Sequence, residues 1–262
     1  MIQITTAQWY AWINAFAFPF LRILGLIVAE PILGNRAVPI SAKVGLAIFV
    51  TMLLTPTLPA MPGVQPASAV GVVIAVQQLL IGLAMGFAIR IVLTAAEMAG
   101  HLSGLQMGLG FAVFFDPQTS AQTAVVGQFF GLFAILVFLS LNGHFLVLSA
   151  LAESFRALPV AQELVRSLGW RNLVAFAGVI FSVGLLIALP IVATLLIANI
   201  AVGIMSRAAP QLNIFAVGFP ITLAAGLLAL YLAAPSTGAA LTRLFEQGLI
   251  AIPRLLESFA GR

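Results

Sequence analysis

Ser206-Arg207-Ala208-Ala209-Pro210-Gln211-Leu212-Asn213-Ile214-Phe215 is a polar island between two long apolar runs, roughly 173–205 and 212–235. Each run is long enough to cross the hydrocarbon core of a bilayer as a helix, which takes about 20 apolar residues. An arginine, a glutamine and an asparagine placed between such runs are costly unless they have a partner or a function. Four further apolar stretches precede them, roughly 9–29, 40–58, 69–96 and 123–152. Backbone groups in lipid must be satisfied within the segment, so all six stretches are expected to be helical. None alternates in polarity as a barrel strand would. The fold class expected is therefore an all-α integral membrane protein.

Composition supports this. Of 262 residues, 62% are hydrophobic and only 7% charged, against about 25% charged in soluble domains. No composition break divides the chain, so 1–262 is read as one domain. The net charge of +4 reflects the basic bias of membrane-protein loops, and no basic run tracks a nucleic-acid backbone. The absence of cysteine excludes disulfides and thiolate metal sites. The start of the chain has no basic n-region, so the first apolar segment is expected to act as the insertion signal. Across six spans one side collects Arg156, Arg166, Arg171, Arg243, Arg254 and Arg262, the other Arg36, Lys43 and Arg207. That asymmetry puts the N-terminus and the 156–171 loop in the cytoplasm.

Several features depart from a simple bundle. Pro19 and Pro190 lie inside apolar stretches and are expected to kink or break them. Pro39, Pro56, Pro59, Pro62 and Pro66 bracket a turn-rich connection. Small residues recur every fourth position at Gly82/Gly86, Gly100/Gly104/Gly108 and Gly127/Gly131. Such faces let helix backbones approach closely, within the chain or against a neighbouring subunit. The tail 236–262 is amphipathic, with Leu241, Leu244, Phe245, Leu249 and Ile252 against Arg243, Glu246 and Arg254. It reads as an interfacial or partner-docking helix.

A second informative block runs from Glu97 to Gln122. Glycine density rises through Gly100, Gly104, Gly108 and Gly110; then Phe111, Phe114 and Phe115 precede Asp116-Pro117. Glycine loosens the helix, and the residue before Pro117 is pushed out of helical geometry. A helix ending in an apolar loop is expected, and such a loop is tolerated at membrane depth only when buried in protein or lining a cavity. Core packing and a pore-closing role both fit these residues. Catalysis finds no support. Glu97 and His101 share i,i+4 spacing, but a zinc site needs three or four ligands and only His144 remains as a further histidine. Paired carboxylates, a phosphate loop and a dinucleotide fingerprint are absent from the sequence. No cofactor is expected. Arg22 and Arg90 sit inside apolar segments and call for partners from elsewhere in the chain, or for an ion-relay role.

The polar island, with its flanks Ala198-Asn199 and Gly218-Phe219-Pro220, resembles the signature of the FliR family. The likeness extends over Pro19-x-x-Arg22, Pro31-Ile32-Leu33-Gly34, Gln106-Met107-Gly108, Phe111-Ala112, Asp116-Pro117, Asn142-Gly143-His144, Glu153-Ser154-Phe155 and Leu158-Pro159. It covers nearly the whole chain. The resemblance implies an export-gate subunit of the bacterial flagellar type III secretion system, in the inner membrane at the basal body. It implies kinked and broken helical hairpins, a fusion of FliP-like and FliQ-like parts, assembled around a pore for unfolded export substrates. FliP-like, FliQ-like and FlhB-like subunits and membrane lipid are the implied partners, with no nucleic acid. It also implies that the loop 106–122 plugs the closed channel. Gln106, Met107, Gly108, Gly110, Phe111, Phe114, Phe115, Asp116 and Pro117 then form the plug, with Met107 and the phenylalanines sealing. Arg207, Pro210, Gln211, Asn213 and Phe215 are candidates for a subunit contact or for shaping the pore. A helix C-terminal role for Arg207 fits equally well. Gly82, Gly86, Gly100 and Gly104 are candidate packing positions. A small-solute secondary transporter and the injectisome version of the same gate are the alternatives.

Overall fold

The computed structural model describes residues 5–111, 125–209, 211 and 214–261. Its described residues are helical with short connections, an all-α membrane protein. The helices are α1 (Thr6–Ala29), α2 (Ile40–Leu54), α3 (Ala69–Gln106), α4 (Val125–Ser140), α5 (Gly143–Ala157), α6 (Ser167–Ala177), α7 (Val179–Ala208) and α8 (Ile214–Ala260). Among them, five candidate spans are long and apolar enough to cross a membrane, and α4 with α5 would make a sixth.

Pro19 and Pro190 do not end their helices; α1 and α7 continue through them. In apolar surroundings the rest of each helix keeps its internal backbone hydrogen bonds, so one missing donor does not end it. The apolar stretch 123–152, read as one segment, is instead broken at Leu141-Asn142. Asn142 takes left-handed backbone with φ 54°, a conformation that asparagine tolerates better than most residues.

The chain divides into two compact units made of interleaved segments, 1–91 with 142–177 and 246–262, and 92–141 with 178–245. Helices α3 and α8 contribute to both, so no linker marks the division.

In the first unit, α1 opens with a capping box. The Gln8 backbone N–H donates to Thr5 Oγ1 at 3.3 Å, and the Thr5 N–H to Gln8 Oε1 at 3.0 Å, satisfying two otherwise orphaned donors. Helices α1 and α3 run side by side at near-backbone contact. A Cβ on Gly82 would land on the Arg22 carbonyl oxygen, and one on Gly86 would sit 2.6 Å from that of Leu26. Asn14, buried on α1, donates from Nδ2 to the Pro62 and Val64 carbonyls at 3.0 and 2.7 Å, pinning the proline-rich connection. Past the end of α1, the buried Glu30 accepts from the Ile32 and Leu33 N–H groups at 3.0 and 2.6 Å and orders that turn.

The end of α8 also belongs to this unit. Ile252, Leu255, Leu256 and Phe259 are buried; Trp170 meets Phe259 edge-on at 4.8 Å, and the Arg166 N–H donates to the Phe259 carbonyl at 3.1 Å. The apolar face expected to dock on a membrane surface or partner is thus largely covered by the chain itself.

Candidate functional site

The site is built in the second unit, where α3 ends. Small residues Ala95, Ala96, Ala99, Gly100, Ser103 and Gly104 make one buried face there. A Cβ on Gly100 would come within 2.5 Å of the Val126 carbonyl and 2.7 Å of Gly127 Cα, so α3 and α4 touch backbone to backbone. A Cβ on Gly104 would meet Val126 only at ordinary contact distance, so the approach there is looser. On another side, a Cβ on Gly184 of α7 would lie 3.0 Å from the Ala95 carbonyl. Gly82, Gly86 and Gly100 each sit where a Cβ would clash with another helix of the same chain, and Gly104 does not.

The close approach of α4 also houses two ionisable side chains. The His101 ring occupies the space a Cβ on Gly127 would need, and the Glu97 side chain that of Gly131. Both side chains remain exposed at their outer edge.

Helix α3 stops at Gln106. The Met107 N–H donates to the Ser103 carbonyl at 3.0 Å and the Gly108 N–H to that of Leu105 at 3.1 Å. Gly108 then takes φ 82°, the left-handed ending that a glycine adopts without Cβ strain. A 3-10 turn, Leu109–Phe111, follows. Met107 has 0% of its surface exposed. Its side chain fills the place a Cβ on Gly226 of α8 would take, and Thr222 Oγ1 lies 3.5 Å from its carbonyl oxygen. The end of α3 is therefore anchored within the second unit. Gln106 is half-buried, and Gly110 packs beside Leu105. Phe114, Phe115, Asp116 and Pro117 lie outside the described residues, as does the side chain of Phe111.

Of the polar island, Arg207 is exposed in the last turn of α7, where a cation interacts favourably with the helix dipole. Ser206 Oγ donates to the Gly203 carbonyl at 2.7 Å. Gln211 is exposed; Pro210, Asn213 and the Phe215 side chain lie outside the described residues.

One constellation in the first unit was not assembled from the sequence. Arg22 is completely buried. Its Nε donates to Gln78 Oε1 at 2.8 Å. Nη1 donates to the Ser154 carbonyl and Oγ at 2.9 and 3.1 Å, and Nη2 to the Leu158 carbonyl at 2.9 Å. The guanidinium lies 4.2 Å from the centre of the Phe155 ring. Helices α1, α3 and α5 are thus tied by one side chain that also caps the C-terminal carbonyls of α5. Arg22 and the polar pair Gln77-Gln78, each inside an apolar run, were the available signals; the two backbone-carbonyl acceptors leave no mark in sequence.

Among the described residues no group of three His, Cys, Asp or Glu side chains could hold a metal ion. Apolar helices bound to one another by close glycine contacts define a polytopic membrane protein. Comparison with known proteins makes this specific. Residues 13–248 match the model for bacterial export proteins, family 1. The chain is 42% identical over 227 residues to the flagellar biosynthetic protein FliR of Escherichia coli (strain K12), 87% of each chain. It is 43% identical over 224 residues to FliR of Pectobacterium carotovorum subsp. carotovorum, 86% and 85% of the two chains. Against FliR of Bacillus subtilis (strain 168) it is 33% identical over 220 residues, 82% and 84%. The chain belongs to the bacterial export proteins, family 1, and within them to the FliR family. It is a subunit of the flagellar export apparatus, resides in the inner membrane and works in a complex with other export-apparatus proteins.

Proposed function

We propose that this chain forms part of the wall of the flagellar export gate and that its 106–122 loop plugs the resting pore. The observation that carries the reading is the root of that loop. Met107, buried against Gly226 and followed by left-handed Gly108, fixes where the loop leaves the helix core. A plug needs a fixed root if it is to return to one closed position. Apolar side chains in the loop suit a seal, because an ion entering a dry constriction loses its hydration. An unfolded substrate chain displaces the plug, with energy from other components of the apparatus. FliP-like, FliQ-like and FlhB-like subunits surround the chain, which is itself FliP-like in one part and FliQ-like in another. Exposed apolar residues such as Leu132 and Leu136 on α4, Ile197 and Ile200 on α7, and Leu228 and Leu232 on α8 supply surface for those subunits and for lipid. Arg207 and Gln211, both exposed, would contact a neighbouring subunit in this reading.

Deleting 112–122 while keeping the Met107 root tests the plug. The expected result is a membrane permeable to ions and small molecules with the complex still assembled. Unchanged permeability in an assembled complex overturns the plug, and isolation of the chain alone from cells holding the other subunits overturns the gate.

A further inference from the structure

Between α3, α6 and the end of α8 lies a cleft of about 160 Å³. All its lining residues belong to the first unit. Leu173 and Leu255 are buried in its wall, Phe176 is half-buried beside them, and Ala88 and Ala251 leave the space because their side chains are short. The polar lining comes from Asn172 and Arg254, both exposed. We propose that this cleft binds one anionic phospholipid, an acyl-chain segment in the apolar slot and the phosphate on Arg254 and Asn172.

Three observations select that occupant. Five of the seven lining residues, Ala88, Leu173, Phe176, Ala251 and Leu255, are apolar, so the floor of the slot favours hydrocarbon over water. Each bounding helix belongs to an apolar segment long enough to span a membrane, and hydrocarbon is the apolar partner such segments ordinarily meet. The rim carries a cation: Arg254 lines it and is exposed. Glu257, exposed one turn beyond Arg254 on α8, is the acidic group closest to it in sequence on that helix. Basic pockets between membrane helices recognise anionic headgroups. An apolar side chain from a partner would fill the slot but leave the arginine without a function. An amphiphile with an anionic head uses both ends. The proposal is independent of the plug.

The test uses the full chain in its complex, exchanged into nanodiscs of palmitoyl-oleoyl phosphatidylglycerol or phosphatidylcholine, then extracted and weighed intact by native mass spectrometry. One phosphatidylglycerol per copy of this chain is expected to survive extraction where phosphatidylcholine does not. Arg254→Gln should lower that retention about fivefold, the loss of one basic contact near the surface. Ala251→Phe, which fills the slot, should abolish it. Equal retention of both lipids, or retention unchanged in Ala251→Phe, overturns the proposal and leaves the slot to a partner's apolar side chain. A second readout leaves the slot unaltered. In the purified full chain with Trp9 and Trp12 changed to Phe, Trp170 on α6 is the remaining tryptophan. Brominated phosphatidylglycerol should quench it saturably, and unbrominated phosphatidylglycerol should compete. Linear quenching, equal for the two headgroups, overturns the site.

Discussion

Replacing Arg22 by methionine keeps much of the side chain's length and apolar volume and removes every donor. The four hydrogen bonds lost are not equivalent. Ser154 Oγ still donates to the Leu151 carbonyl at 2.7 Å, and the Ser154 carbonyl still accepts from the Leu158 N–H at 2.9 Å. Two acceptors are orphaned, Gln78 Oε1 and the Leu158 carbonyl. A buried polar group left unpaired costs about 1–3 kcal/mol, so the pair costs about 4 kcal/mol at mid-range. The lost contact with the Phe155 ring adds about 0.5–2 kcal/mol. At about 2–4 °C per kcal/mol for a chain of this size, a total of about 4.5–6 kcal/mol should lower the melting temperature of the purified chain in mild detergent by about 9–24 °C. The double variant Arg22→Met/Gln78→Leu should recover part of the loss, because removing both partners leaves one fewer orphan. Arg22→Lys should lie between, since a single ammonium cannot reproduce the planar fork. A melting temperature for Arg22→Met within about 2 °C of the parent, below half a kcal/mol per orphaned acceptor, would refute the reasoning. So would a Gln78→Leu effect that simply adds.

Gly226→Ala should displace the Met107 side chain and cost about 1–3 kcal/mol through overpacking; Met107→Ala on the same background should restore at least about 1 kcal/mol, read as a double-mutant cycle in thermal unfolding. Burial raises the Glu30 carboxyl above its ordinary value, while the Leu33 and Ile32 N–H groups pull it back. The folded turn therefore favours the protonated form. Its contribution is complete below the unfolded carboxylate value, about 4.3, and is lost as pH rises through the raised folded value. Glu30→Gln should flatten that part of the stability–pH curve, and a parent curve without the decline would contradict the assignment.

The polar island and the Gly108-Gly110 block show how far local reading reaches. Left-handed Gly108 and the end of α3 follow from glycine's conformational freedom, which is a local property. Arg207 at the last turn of α7 is likewise a local matter of helix ends. The burial of Met107 was not legible, because Gly226 lies 119 positions further along the chain and matters only for the side chain it lacks. The tail beyond Ser236 has an amphipathic pattern that states only that one face seeks cover. Whether lipid, a partner or the chain itself supplies that cover depends on neighbours distant in sequence.

By itself, then, the sequence determined the solvent. Seven per cent charge and runs of 20 or more apolar residues force helices, because lipid offers the backbone no hydrogen-bond partners. Its motifs also determined the family. Tertiary structure alone decided that Arg22 is held by Gln78, Ser154 and Leu158, and that α3 and α8 each serve two compact units. Both are long-range outcomes of packing. A buried arginine takes whatever acceptors three helices bring within about 3 Å, and two of those acceptors are carbonyls that any residue type would carry.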